Sequence, residues 1–385
     1  MFLRKLLTFS IVLLLSATAK PQDSTEVYLL TCSPGTESYS MYGHSAVRVV
    51  DRSSNLVIVY NWGVFDFSTP DFNYKFARGR LNYMLAISSY ERFILEYFNE
   101  ERSVFSQKVN LSADDIDELK LFLGNNMLEE NRYYLYDFFM DNCATRIRDI
   151  FETIFDDRLI YPEQPETVQP TFRDRLDEYR ADMVWLDMGM DLLLGSLSDR
   201  ECGFRESMFL PDYLMSNLAQ AQILVDGNLE PLLFEPETIF EFSLPKRESR
   251  IFMQPWFQIS ILALLIIFFS FRIKQKISQN IFDILFFTAM FVLSFLMIFT
   301  NYLTEHAAMG NNFNMVWLNP LLLITPFLVL SKRPFDWLWR THIVLSVIFM
   351  TLIIFIPQSI NPGYIPVIVI LITRSYYRLS PLYKL

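Results

Sequence analysis

Cysteine, histidine and glycine are scarce in this chain, and each shortage removes a class of protein. Three Cys in 385 residues cannot make a disulfide-dense scaffold, and none belongs to a CxxC pair that would hold zinc. Of the three His, only His44 precedes residue 250, which is too few ligands for a metal centre, and no soluble cofactor is expected. Eleven Gly exclude a collagen-like repeat. Charged residues make up only 20%, and positive charge is the scarcer sign, with a formal net charge of −10. That balance argues against nucleic acid as a partner.

What is plentiful is apolar. Hydrophobic residues reach 52%, with 36 Phe, which excludes disorder. The distribution is uneven: residues 1–250 carry 24 Lys/Arg against 40 Asp/Glu, and residues 251–385 carry 9 against 3. An acidic, water-exposed domain is therefore expected to precede a basic membrane domain.

Arg4 and Lys5 stand before an apolar run, Leu6–Leu15, and Ser16-Ala17-Thr18-Ala19 follows. This is the pattern of a signal peptide over residues 1–19, with an uncleaved anchor as the alternative. Residues 20–250 contain no long uncharged apolar run and are expected outside the cytoplasm. Residues 251–385 read as a transmembrane domain of five helices: Trp256–Phe271, Ile281–Thr300, Met315–Leu330, His342–Ile356 and a weaker Tyr364–Ile372. The last is short of the roughly 20 residues a span needs. Arg272, Lys274 and Lys276, then Lys332, Arg333 and Arg340, then Arg374, Arg378 and Lys384 mark alternate ends of these spans as cytoplasmic. Loops 301–314 and 357–363 then face the side of the large domain.

Within that domain, Glu26–Leu30 reads as a strand, and His44–Val50 with Leu56–Tyr60 as a hairpin. Residues 61–67 continue in extended form, and Val104–Leu111 is a further strand. Ser112 and Asp115 form a capping box for a helix over Ala113–Met127. Further helices are expected at Asn142–Phe155, Thr171–Tyr179, Ala181–Leu194 and Tyr213–Val225. A small sheet with several helices makes an α+β domain.

His44 opens a strand behind Gly43, which can take backbone shapes closed to larger residues. Cys143 falls in the first turn of a helix capped by Asp141 or Asn142, where backbone N–H groups and the helix dipole favour a thiolate and a developing oxyanion. A thiol with an imidazole base is the minimal pair for acyl transfer, and chain order is immaterial to it. Asn61 is the favoured third member holding the imidazole, with Asp66 as runner-up. On composition and spacing alone, ordinary packing of Cys143 and His44 is the stronger reading. A Cys32–Cys202 disulfide is allowed outside the cytoplasm and would leave Cys143 free.

The blocks Leu29-Leu30-Thr31-Cys32-Ser33-Pro34-Gly35, Tyr42-Gly43-His44-Ser45, Tyr60-Asn61-Trp62-Gly63 and Asp141-Asn142-Cys143 together resemble the lipoprotein N-acyltransferase family of Bacteroides and its relatives. The resemblance spans essentially the whole chain. It implies a periplasmic catalytic domain of permuted papain-like fold, similar to lecithin:retinol acyltransferase, followed by an all-helical transmembrane bundle. It further implies an inner-membrane enzyme that takes an acyl chain from a phospholipid onto the cysteine thiol. The chain would then pass to the N-terminal amine of a diacylated lipoprotein. Tyr42, Asp66 and Asn142 are further candidates for substrate contact. Glu305 and His306, in the outward loop 301–314, are candidates for orienting a headgroup or the acceptor amine, with a solvated loop as the plain alternative.

The same dyad would also serve a cell-wall cysteine peptidase or amidase, or a phospholipase with water as acceptor. A membrane assembly factor that has lost catalysis is the non-enzymatic alternative, and the presence of both His44 and Cys143 argues against it.

Overall fold

The computed structural model describes residues 25–380 except 38, 165–167, 244–249, 273–274 and 332–334. The expected signal peptide over residues 1–19 and the basic residues Lys274, Lys332, Arg333 and Lys384 lie outside the described residues.

Strands β1 (Thr25–Cys32), β2 (His44–Asp51) and β3 (Leu56–Val64) form the centre of a seven-stranded sheet. After helix α1 (Phe72–Arg78) come β4 (Asn82–Ser89), helix α2 (Tyr90–Asn99) and β5 (Val104–Lys108). Helix α3 (Ala113–Asn126), β6 (Tyr133–Leu135) and helix α4 (Cys143–Phe155) follow. With β10 (Glu237–Phe240) the sheet order is β10-β5-β1-β2-β3-β4-β6, and every pairing is antiparallel.

The central strands are rich in Val and Leu because both faces are covered, unlike the half-wet sheet of a simple hairpin. Val27, Leu29 and Val47 pack with Leu119 and Leu123 of α3 and with Ile147, Ile150, Phe151 and Ile154 of α4. Those four α4 positions lie on one helical stripe. Leu30, Ala46 and Val59 point the other way, onto Phe93 and Tyr97 of α2. The Ser112–Asp115 capping box forms as the sequence implies, with both reciprocal bonds made.

Helix α5 (Phe172–Arg180), helix α6 (Val184–Leu193) and helix α7 (Pro211–Gln220) complete the domain, with a second small sheet of β7 (Leu159–Ile160), β8 (Gln222–Val225) and β9 (Asn228–Pro231). The helix expected over Tyr213–Val225 is thus corrected: it stops at Gln220, and Gln222–Val225 is a strand. Asp226 and Gly227 both have positive φ, 49° and 84°, which is the backbone of a tight hairpin. The Asp-Gly pair was the sequence signal for it.

In the second half, α8 (Pro255–Arg272) and α9 (Lys276–Ile298) are long and apolar, as is α10 (Asp336–Leu352). With their short extensions these make three helices long and apolar enough to cross a membrane among the described residues. The fifth expected span is helical beyond its predicted end, as α11 (Tyr364–Leu379). The third, Met315–Leu330, is not one helix. It is divided into short turns at Phe313–Val316, Pro320–Leu323 and Thr325–Leu328. Pro320 and Pro326 each lack an N–H, and Asn319 caps the second turn by accepting from the Leu321 N–H. The irregular backbone is enclosed by protein: Ser294 Oγ donates to the Asn319 carbonyl, and His342 meets Thr325 Oγ1 at 3.0 Å.

The two halves interlock. Met188 and Leu192 of α6 belong to the apolar cluster of the membrane helices. Asn312 Nδ2 donates to the Leu192 carbonyl at 2.7 Å, and Asn361 Nδ2 to Asp191 at 2.9 Å. Arg173 and Arg180, both fully buried, hold Asp191 from the other side. The close carboxylates Asp177, Asp187 and Asp191 therefore surround a guanidinium, Arg180.

Candidate active site

The end of the sheet where β2 begins is where the chemistry-bearing residues gather. Gly43 leads into β2 with φ +82°, and a Cβ there would stand 2.8 Å from the Cys32 carbonyl. Only glycine fits that entry, and it sets His44 as the first strand residue. His44 Nε2 lies 3.3 Å from Asn61 Oδ1 on the neighbouring strand β3. Asn61 in turn donates through Nδ2 to Ser88 Oγ of β4 at 3.4 Å. Tyr97 of α2 stacks on the imidazole, with centroids 6.3 Å apart and planes at 14°. Behind Tyr97, the buried Arg102 guanidinium lies 4.6 Å from the Tyr97 ring centroid and donates to the Ser33 carbonyl and to Glu100. Burial first, then the Arg102 charge, bring the His44 pKa from 6.5 down to about 4, with Asn61 pulling the other way. The imidazole is neutral at pH 7.

Cys143 is the first residue of α4. Its helix is started by Asn142, whose Oδ1 accepts from the Ala144 and Thr145 N–H groups at 2.8 and 2.9 Å. Thr145 Oγ1 returns the contact by accepting the Asn142 N–H at 2.7 Å. The backbone N–H groups of Ser45, Ala144 and Cys143 itself point at the sulfur and favour the thiolate, while burial pushes the thiol upward more strongly. The resting pair is a thiol and a neutral imidazole. Ser45 follows His44 directly, so the contact brings the start of α4 to the start of β2. Gly63, two residues past Asn61, closes the other side: its φ is +84°, and an added Cβ would touch the Cys143 Cβ at 3.6 Å. His44, Asn61 and Cys143 are thus brought to one end of one sheet.

Cys32 is the alternative thiol, since it pairs with His44 in the β1–β2 register. It has no exposure, and burial drives its pKa far up, despite the Arg102 charge and a hydrogen bond from Tyr97. Cys143 keeps 7% exposure and the N–H donors. A helix-start thiol with backbone donors forms a thiolate more readily than one sealed inside a sheet.

Several residues have other duties than the sequence suggested. Asp66, the runner-up partner for His44, is exposed and accepts from the Ser68 N–H and hydroxyl in its own turn. A charged loop residue satisfied locally has no part in the cluster. Asn142 is not free to contact substrate either: beyond capping, its Nδ2 donates to the Phe138 and Phe209 carbonyls. Tyr42 packs edge-on against Phe138 and Tyr179 close to Gly43. The Cys32–Cys202 disulfide that the compartment would allow does not form. All three cysteines are free, because Cys32 is sealed beneath α2 while Cys202 sits in a separate cluster with Phe139, Phe172 and Phe209.

Glu305 and His306 join the two halves rather than facing an open groove. Glu305 accepts from Arg80 Nε at 2.6 Å, its N–H donates to the Arg78 carbonyl, and His306 Nε2 meets the Phe76 carbonyl at 3.0 Å. They cap the C-terminal end of α1, whose last carbonyls need donors. The sequence reading missed Ser88, Tyr97 and Arg102, none of which carries a motif. Gly63 lies in the family-like block Tyr60-Asn61-Trp62-Gly63, and its position after Asn61-Trp62 was its signal.

Comparison with known families gives two matches. Residues 15–173 match the Lnb N-terminal periplasmic domain, and residues 246–384 match the Lnb transmembrane domain. No curated protein and no solved structure matches the chain.

Proposed function

The chain belongs to the Lnb family, and on that premise we propose that it is a cysteine-dependent lipoprotein N-acyltransferase. Its catalytic domain stands in the periplasm, and its membrane domain crosses the inner membrane five times. The observation that carries the reading is the meeting of the His44–Asn61 contact with the Cys143 helix start at one sheet end. A permuted papain-like arrangement, with the base on a strand and the nucleophile opening a helix, accounts for both.

In the first half-reaction His44 takes the Cys143 thiol proton, and the sulfur attacks an acyl ester carbonyl of a phospholipid. The Cys143 and Ser45 N–H groups, which favour charge on the sulfur, would donate to the tetrahedral oxyanion beside it. The C–O bond breaks, the lysophospholipid leaves with the proton from His44, and a thioester remains. In the second half the free amine of a diacylated lipoprotein attacks the thioester. His44 takes a proton from the amine and returns it to the departing sulfur. The products are an amide on the lipoprotein and the restored thiol. A neutral His44 suits both halves, because each begins with proton acceptance.

The test uses phospholipid with a labelled acyl chain. Wild-type protein should acquire a hydroxylamine-sensitive label that disappears in Cys143→Ala, and the intact mass of a diacylated lipoprotein should rise by one acyl group. A label and a lipoprotein mass shift that persist in Cys143→Ala would refute the mechanism. Release of free fatty acid with no lipoprotein product would make the protein a phospholipase instead.

A further inference from the structure

The buried ions of the membrane domain take no part in the chemistry at Cys143. Asp283 of α9, without exposure, accepts from Arg374 Nε at 2.6 Å and from Arg378 Nε at 2.5 Å, both on α11. One carboxylate is shared between two guanidiniums inside a helical bundle. Ionised side chains at such depth are costly and point to a function or a counter-ion. Arg374 also donates through Nη1 to Ser270 Oγ of α8 at 2.6 Å, while its buried Nη2 has no hydrogen-bond partner. A cavity of about 280 Å³ lies against that guanidinium. Its walls include Leu262, Leu265 and Phe269 of α8 and Phe282 of α9. The three α8 side chains are about half exposed on the outer face of the bundle, so the cavity opens sideways. Ser270 is in the last turn of α8, a helix that starts at the catalytic domain, so the cavity is at the opposite end. Arg272 closes α8 and Lys276 opens α9 at that same end.

We propose that this cavity binds an anionic phospholipid, with Arg374 holding the phosphate and an acyl chain lying along Leu262, Leu265 and Phe269. A guanidinium fork matches phosphate geometry, and basic pockets between membrane helices are known acceptors of anionic headgroups. The apolar wall favours a lipid over a free phosphate. The site is separated from the cysteine by the length of α8, so it does not supply the acyl donor. It anchors α8, α9 and α11 to one leaflet.

The test takes full-length protein, stripped of lipid in a nonionic detergent and titrated with dioleoyl phosphatidylglycerol or dioleoyl phosphatidylcholine. Bound lipid is counted by native mass spectrometry. Phosphatidylglycerol should be retained at least about tenfold more tightly, a preference of about 1.4 kcal/mol. Arg374→Gln should bring the two lipids to parity. Leu265→Trp, which narrows the groove and leaves all three ions in place, should weaken phosphatidylglycerol retention. Equal retention by wild type, or an undiminished preference in Arg374→Gln, would overturn the proposal. Displacement by excess glycerol 1-phosphate would overturn the lipid in favour of a soluble phosphate. If Arg374→Gln elutes as aggregate, Leu265→Trp decides, and unchanged retention there overturns the site.

Discussion

His44 Nε2 and Asn61 Oδ1 face each other at 3.3 Å across the β2–β3 pair, and in the proposed reaction this contact leaves Nδ1 as the basic nitrogen. An amide oxygen only accepts, so Nε2 carries the proton and Nδ1 keeps the lone pair. On its other side the Asn61 amide nitrogen donates to Ser88 Oγ at 3.4 Å, so the side chain lies between β2 and β4. Residues of three neighbouring strands thus line up beside the imidazole, and Tyr97 stacked on the ring limits its tilt.

Loss of Asn61 should therefore cost orientation, not chemistry. Asn61→Ala is expected to lower kcat/KM for acyl transfer about fivefold, the equivalent of one lost hydrogen bond of about 1 kcal/mol. His44→Ala should lower it by about 10²–10⁴, the usual worth of a general base. Steady-state acylation of a diacylated peptide by the two variants checks the ranking. Equal losses would mean that Asn61 does more than orient.

The pH dependence follows from the low His44 pKa. The base must be neutral, and His44 is neutral above about pH 4, so kcat/KM should show its acid limb near pH 4 rather than 6.5. The unfolded chain takes a proton near 6.5 that the folded chain refuses until about 4, so stability declines as pH falls through that window. Arg102→Gln removes a positive charge close to the ring and should move the acid limb toward 6.5. A pH–rate profile of both proteins checks this, and an unmoved limb would leave burial as the sole cause.

Thiol chemistry separates the three cysteines. Protein denatured without reductant should alkylate at Cys32, Cys143 and Cys202, because all are free. In the native state Cys143 should react first, since it alone has both some exposure and N–H donors, while burial takes Cys202 up to about 12. Cys32→Ala should retain the acyl label that Cys143→Ala loses. Peptide mapping after timed iodoacetamide treatment reads the order.

The legible parts of the sequence were those written in local physics. Ser112 with Asp115 and Asn142 before Cys143 announced two helix starts, and Val-rich alternation announced β2 and β3. His44 and Cys143 stood out because His and Cys are scarce in the domain, and Asn61 because it follows the strand paired with the His44 strand, where the structure places it against His44. The strand β4, which supplies Ser88, lacks a clean alternation, and helix α2, which supplies Tyr97, carries its amphipathic pattern over only ten residues, so both went unnoticed. The third span was misjudged for the opposite reason. Its apolar composition spoke for a helix, while Asn319-Pro320 and Pro326 break it and neighbouring helices shield the breaks. Glu305 and His306 are indistinguishable in sequence from loop residues awaiting a ligand, and only α1, more than two hundred residues away, shows what they hold.

The join between the halves yields the last prediction. Two kinds of contact hold it, and they should differ in strength. The Arg80–Glu305 pair is about half exposed on both sides, so Glu305→Ala should cost no more than about 1 kcal/mol of stability. Gly195 is different: its N–H donates to the Ala308 carbonyl, and a Cβ there would stand 1.8 Å from the Gly310 carbonyl oxygen. No rotamer relieves a clash between backbone and Cβ, so Gly195→Ala must push loop 301–314 away from the turn after α6. That movement also strains the Asn312 bonds to the carbonyls of Leu192 and Leu194. A loss of about 1–3 kcal/mol is expected, in the range of overpacked cores. Thermal melts of both variants in detergent test the order, with limited proteolysis near Gly310 reporting the loosened loop. A Gly195→Ala protein as stable as Glu305→Ala would show that the two halves are not held at this turn.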